Sequence, residues 1–368
     1  MPLTANSPLQ GSSKPQAEVT QLACAPAMHS AWRVILLLLC FGVGLFGTGT
    51  IINSVLPFPA LEIVQPKVNW LAHHGDQYDT LFIGSSRTFG HIIPSLFDRL
   101  MAEGGKPTHS FNLGLNGMRS PEDSFLLETV LSKRRAPLKL VVVESNRIWV
   151  PGSDGDSRKT DRLVYWHDFK RLAALTHSTF VTKYRPYWYQ RWKVSPKKLG
   201  ELEYNFELFC SRTLNLGRGQ EMIISFFEKS DSPWPKRMSQ DGFELHGQPD
   251  KIDQDEWDIL HAQVQRLLKN GNEVNYADPQ SQYELDYKRH LIQAHGGRMV
   301  VFIPPLAGGR EFFPDPQAKP PFPTFNFADP ARYPVLFERD HRADSGHLNI
   351  SGAEIFTRML VEKILASD

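Results

Sequence analysis

Acyl-transfer chemistry needs a nucleophile, a base to take its proton, an acid to orient that base, and donors for the developing oxyanion. Residue types able to fill these roles stand at four separated points of the chain. The stretch "DTLFIGSSRTFG" (79–90) is an apolar run of strand type that stops at Gly84-Ser85-Ser86, with Arg87 next. "NLGLNG" ends at Gly117, "ESN" ends at Asn146, and "DSGHLN" carries Asp344 and His347. Each point also has an ordinary reading. Gly-Ser-Ser after a strand is a common turn, and a serine there caps a helix. Asp344 and His347 serve equally as a cap and a surface histidine, or join Asp340 and His341 around a metal, for which the spacing is poor support. Gly117 suits a strand end, Asn146 a turn, and Arg87 an anionic substrate, a cap or a surface ion pair. The readings separate on whether the fold gathers the four points.

The elements between them alternate. "DTLFIG", "THSFNLG" (108–114), "LKLVVVE" (138–144) and "RMVVFIPP" (298–305) read as strands, the third apolar throughout as strands covered on both faces are. A further short strand is expected at "YPVLFE" (333–338). Helices are expected at 94–103, at 120–134, around 282–294, and at "ISGAEIFTRMLVEKIL" (350–365). In the second of these Ser120 is expected to cap, with Pro121 in the first helical position and Asp123 completing a capping box. From residue 150 to about 276 the alternation breaks into an aromatic-rich, mostly helical insertion containing "KYRPYWYQRWK" and "FELFC". Strand–helix–strand repetition implies an α/β domain with a parallel sheet and helices on both faces. In such a sheet sites form beyond the carboxyl ends of the strands, where the four polar points fall.

The N-terminal part is of another kind. Residues 1–30 are rich in Ser, Pro, Ala and Gln and read as a disordered tail. Val34 to Val55 carries no charge, about the 20 residues that a bilayer core requires. A secretory signal would have a shorter apolar core and a small-x-small cleavage site, and neither is evident. The expected organisation is therefore a tail (1–30), a transmembrane signal anchor (31–58) and a single large domain (59–368). Lys14 and Arg33 precede the span, which puts the tail in the cytoplasm and the domain outside. Cys210 is then the only cysteine outside, so no internal disulfide is expected there. The recurrence of Cys40, Gly44 and Thr48 leaves room for another membrane helix. A net charge of +1 with 22% charged residues provides no basic field, so nucleic acid is not an expected partner.

Taken together, the four blocks resemble the SGNH (GDSL-like) hydrolase superfamily. Gly-Ser-Ser is similar to its membrane-anchored branch, which includes DltD and the alginate and cellulose O-acetylation proteins. The resemblance implies a flavodoxin-like sheet of order 2-1-3-4-5, with the first strand central and the loop of Asp344 and His347 over its carboxyl end. Ser86 is then the nucleophile, His347 its base and Asp344 the orienting acid. Gly117 and Asn146 supply oxyanion donors, and neither cofactor nor metal is needed. The implied activity is that of a serine O-acyltransferase or esterase acting on an extracytoplasmic cell-envelope polysaccharide. Its implied partners are the bilayer, the glycan and a multi-spanning membrane acyltransferase. A catalytically silent module that binds glycan or scaffolds such a complex is the alternative. Two positions depart from the family pattern: Ser85 replaces an aspartate, and the third block reads Glu-Ser-Asn-Arg. The insertion is expected to rise at the carboxyl edge as a wall or lid. Asn349-Ile350-Ser351 forms a glycosylation sequon whose glycan would obstruct His347, which favours a bacterial periplasm.

Overall fold

The computed structural model describes residues 27–56, 58–152, 160–180, 196–215, 233–244, 250–271, 275–276, 279–307, 312–313 and 322–367. The stretch "KYRPYWYQRWK" and most of the N-terminal tail lie outside them. Residues 1–48 and 49–368 form two separate units. Helix α1 (Ala27–Val55) begins in the first. Its segment Ala31–Ser54, with mean hydropathy 2.3, is long and apolar enough to cross a membrane. This helix is consistent with a membrane anchor.

The second unit continues with α2 (Val64–His74), β1 (Thr80–Ile83), α3 (Ser86–His91), α4 (Pro94–Glu103), β2 (Ser110–Asn112), α5 (Glu122–Leu131) and β3 (Leu140–Glu144). Helices α6 (Asp161–Tyr165), α7 (Phe169–Phe180), α8 (Pro196–Thr213) and α9 (Gln254–Asn270) occupy the insertion. After them come β4 (Asn275–Tyr276), α10 (Pro279–Ala294), β5 (Arg298–Ile303), β6 (Phe312–Phe313), β7 (Thr324–Asn326) and α11 (Ile350–Ala366).

Five strands form one sheet in the order β2-β1-β3-β5-β7, all parallel, and β4 pairs with β6 apart from it. The three central strands are apolar because both their faces are covered. Leu81, Ile83, Val141, Val143 and Val301 pack with Val68 of α2, Leu127 of α5 and Ile292 of α10. Phe82, Val142, Val300 and Phe302 point the other way, onto Phe97 of α4, Leu260 of α9 and Phe356 and Leu360 of α11. Every second residue therefore serves one core, as the pleat dictates. Because β1 is flanked by β2 and β3, its carboxyl end opens inside the sheet rather than at its edge. It lies beside α11, which packs on α3 and α4.

Two local expectations are corrected. Ser120 does not cap α5; the helix starts at Glu122, Pro121 stands at its N-cap, and no side chain caps it. Asp123 is instead fully buried in an ion pair with Lys288 of α10, and this pairing overrides the local capping pattern. Residues 334–337 form a 3₁₀ turn rather than a strand. Pro334 has no N–H for a ladder, and the fifth strand comes earlier, from Thr324–Asn326. The sequon residue Asn349 is 4% exposed and is the N-cap of α11, accepting from the Gly352 N–H at 3.0 Å. Its amide is occupied by the carbonyls of Asp250 and Asp340, at 2.7 and 2.8 Å.

Candidate active site

The turn between β1 and α3 is built around a close approach. A Cβ at Gly84 would lie 2.2 Å from Thr88 Oγ1 and 2.5 Å from Glu144 Oε2, so a side chain there would displace both. Into that space comes the carboxylate of Glu144, at the end of β3 and with no exposed surface. It accepts from Ser85 N–H (2.7 Å), Ser85 Oγ (2.7 Å), Thr88 Oγ1 (2.8 Å) and Arg87 Nη1 (3.3 Å). Ser85 adopts extended backbone geometry and caps α3, its hydroxyl accepting from the Arg87 N–H. The two adjacent serines thus divide the work. Ser85 faces inward to the carboxylate, while Ser86, the first residue of α3, faces the loop before α11.

Across that gap Ser86 Oγ lies 2.8 Å from His347 Nε2, although 261 residues separate them in the chain. His347 Nδ1 lies 2.9 Å from both carboxylate oxygens of Asp344. A carboxylate at Nδ1 requires the proton there, which leaves Nε2 as the acceptor for the serine hydroxyl. Burial alone raises the Asp344 carboxyl. It is outweighed by the hydrogen bond and charge of His347 and by the N–H groups of Gly346 and His347, so the net shift is downward. Asp344 is therefore ionised at neutral pH.

The loop of Asp344 and His347 is held from several elements. Leu348 N–H donates to His91 Nε2 of α3 at 3.0 Å, and the His91 and His347 rings meet edge to face at 5.9 Å. Ser345 N–H donates to Glu256 of α9 at 3.1 Å, so a helix of the insertion braces this loop. Thr357 of α11 donates to the His91 carbonyl and accepts from the Ile93 N–H, both at 3.2 Å.

The remaining expected site residues divide. The Asn146 amide, two residues beyond Glu144, is buried with no hydrogen-bond partner in the protein. An amide donor left in that state costs about 1–3 kcal/mol, so the position is suited to receive an acceptor from outside the chain. Gly117 lies in an exposed turn at φ +67°, a backbone conformation that favours glycine. Its loop starts beside the β1–α3 turn, where Leu115 N–H donates to the Gly84 carbonyl at 3.0 Å. Among the described residues Gly117 makes no hydrogen bond to Ser86, His347 or Asp344. Arg87 spends Nη1 on Glu144 and keeps a buried Nε without a partner, so its main engagement is the internal ion pair.

Glu144, His91 and Lys67 were not anticipated as site residues. Lys67 of α2 is fully buried over the Phe89 ring and donates to the carbonyls of Asn112 and Gly114 at 2.8 and 2.7 Å. Burial pushes its pKa well down, against the opposing charges of Glu244 and Asp241. It fastens the loop that leads to Gly117. A lysine inside the otherwise apolar helix face of Val64, Val68 and Leu71, and a glutamate closing "LVVVE", were the available signals. The insertion also reaches the site: Asp241 O accepts from Asn112 N–H (2.8 Å) and Glu244 N–H donates to Phe89 O (3.3 Å). Among the described residues no group of three or more His, Cys, Asp or Glu is arranged to hold a metal ion. Instead, His341 Nδ1 hydrogen-bonds Ser351 Oγ at 2.9 Å.

No protein-family model and no curated protein matches the chain. The fold and the site geometry therefore carry the functional reading on their own.

Proposed function

We propose that the protein is a membrane-anchored serine O-acyltransferase or esterase of SGNH type, acting on ester-linked acyl groups of an extracytoplasmic polysaccharide in a bacterial periplasm. The observation that carries this reading is the Ser86–His347–Asp344 hydrogen-bonded chain, assembled from residues 261 apart in the sequence at the carboxyl end of β1. The strand order β2-β1-β3-β5-β7 is that of a flavodoxin-like sheet and supports the same family.

In this reading His347 Nε2 takes the Ser86 hydroxyl proton as Oγ attacks the ester carbonyl, and Asp344 stabilises the imidazolium. The unpartnered Asn146 amide and the backbone N–H groups of Ser86 and Gly117 receive the negative charge of the tetrahedral intermediate. His347 then returns the proton to the departing alkoxide, leaving an acyl-serine. Transfer to a sugar hydroxyl or to water completes the cycle. The anchor and the Gly-Ser-Ser turn favour transfer to a sugar hydroxyl, with the acyl group supplied by a multi-spanning membrane acyltransferase system. Losing one oxyanion donor would cost about 10²–10³ in rate.

The test is covalent labelling of the full chain in detergent with a fluorophosphonate. Labelling that is lost in Ser86→Ala and retained in Cys210→Ser is expected. A folded protein that takes no label, or takes it equally without Ser86, overturns the assignment.

A further inference from the structure

We propose that helix α8 is a second membrane contact, lying in the lipid headgroup interface through the row Leu199, Leu202, Phe206 and Phe209. These residues follow the three- and four-residue spacing that places them on one helical face. The opposite face, with Tyr204, Leu208 and Ser211, is buried in the protein. The outward face of a surface helix is ordinarily polar, and here large apolar side chains stand on it beside charged ones. Leu199 is 61% and Phe206 53% exposed, Leu202 and Phe209 are half-buried, and the two phenylalanine rings lie 6.1 Å apart. Exposed Glu203 and Glu207 border the row on one side only.

What covers this row is indicated by where α8 ends. Asn53 Nδ2 donates to the Arg212 and Thr213 carbonyls, both at 3.2 Å, and these are among the carbonyls a helix end leaves unpaired. Asn215 Nδ2 donates to Gly49 O at 3.4 Å. A Cβ at Gly49 would sit 2.2 Å from Thr213 O, so the approach there needs glycine. Thr213 continues the row of Phe206 and Phe209 by four more residues.

Gly49 and Asn53 belong to the apolar span Ala31–Ser54. At 1.5 Å per residue that span is about 36 Å long, against about 30 Å for a hydrocarbon core. Its final turn, with Thr50, Asn53 and Ser54, therefore comes to interface depth, and α8 is fastened there. An apolar helix face pinned at that level meets lipid. Interfacial helices bury such faces about 5–10 Å into the headgroup and acyl boundary. The consequence would be a second membrane contact beside the anchor.

The experiment uses the full chain with Cys24, Cys40 and Cys210 replaced by serine. An environment-sensitive fluorophore is placed in turn at Leu199→Cys, Phe206→Cys and Ile259→Cys, the last on α9 and 49% exposed. Proteins are reconstituted in phosphatidylcholine–phosphatidylglycerol vesicles, with or without lipids carrying a nitroxide near the headgroup. Labels at 199 and 206 are expected to lose most of their fluorescence to the nitroxide lipid and to resist aqueous iodide, with 259 behaving oppositely. Iodide access at 199 and 206 equal to that at 259 overturns the proposal. So does shielding from both quenchers, which would show protein, such as a second copy, over the row. Near-ultraviolet circular dichroism checks each variant's fold, and none of these outcomes depends on the chemistry at Ser86.

Discussion

The two sides of the Ser86–His347 contact are built differently. On the serine side a buried carboxylate, Glu144, gathers four donors from Ser85, Arg87 and Thr88 within one turn of chain. On the histidine side the side chains are a quarter to about a third exposed, and the loop is held by single bonds from α3 and α9, by a backbone bridge between Arg342 and Leu348, and by the Asn349 side chain. The serine is thus placed by a dense polar core that forms with the fold. The histidine is placed by a few ties that can loosen while the fold persists. Damage to the first side should appear chiefly as lost stability, and damage to the second chiefly as lost rate.

The largest effect expected from that contrast is kinetic. Under the proposed mechanism Asp344→Asn keeps an acceptor for the Gly346 N–H but favours the wrong imidazole tautomer, so turnover should fall by about 10⁴. The urea midpoint should barely move, because Asp344 is partly solvated. A collapse of stability instead would show that the loop, like the turn, is part of the folding core. On the other side, Glu144→Ala strands two buried hydroxyls, a buried N–H and part of a guanidinium. It should cost about 3–5 kcal/mol by urea titration. Glu144→Gln, which keeps an acceptor oxygen, should lose less. Equal stability in all three proteins would break the contrast.

His91 joins the two sides and sharpens it with pH. Its Nε2 accepts from Leu348 N–H, so the neutral form is required, while Nδ1 is buried without a partner. Burial holds its pKa well below 6.5, and the charges of His347, Arg342 and Arg87 lower it further. Above about pH 6.5 neither folded nor unfolded His91 is protonated, and the group imposes no penalty. Below that the unfolded chain takes up a proton that the folded one refuses. Stability therefore falls by about 1.4 kcal/mol per pH unit from this residue until the folded pKa is reached. His91→Gln retains an acceptor and should flatten that part of the curve, read from urea midpoints between pH 7 and 5. An unchanged slope would mean that His91 is hydrated in solution and that the link between the sides is weaker than drawn.

How legible these features were depended on how local their causes are. The runs in β1, β3 and β5 were readable because strands buried on both faces must be apolar at every position. Pairing Ser86 with His347 rested on matching four blocks, since no local pattern joins residues 261 apart. Glu144 escaped notice because its partners stand 56–59 residues away, so it read only as a departure in the third block. Ser120 misled because Lys288, 165 residues from Asp123, decides what that segment does. The strand at Thr324–Asn326 stands in Pro-rich sequence and is three residues long, too short to show a period.

The smallest effect should come from Asn349, which combines a cap with a tether. Its Oδ1 accepts from Gly352 N–H at the start of α11, while its Nδ2 donates to Asp250 O and Asp340 O. Asn349→Ala removes both functions and should cost about 1–2 kcal/mol, the usual range for a lost N-cap. It should also slow turnover several-fold, because residue 349 is two positions beyond His347 and the tether limits how far that loop can drift. Asn349→Asp separates the two contributions. An aspartate still caps, and the helix N-terminus favours its charge, but it cannot donate to either carbonyl and it sets a negative group against them. If the tether positions His347, Asn349→Asp should recover much of the stability by thermal melting and little of the rate. Recovery of both would assign the whole effect to the cap. The histidine side would then be held by α3, α9 and the backbone bridge between Arg342 and Leu348.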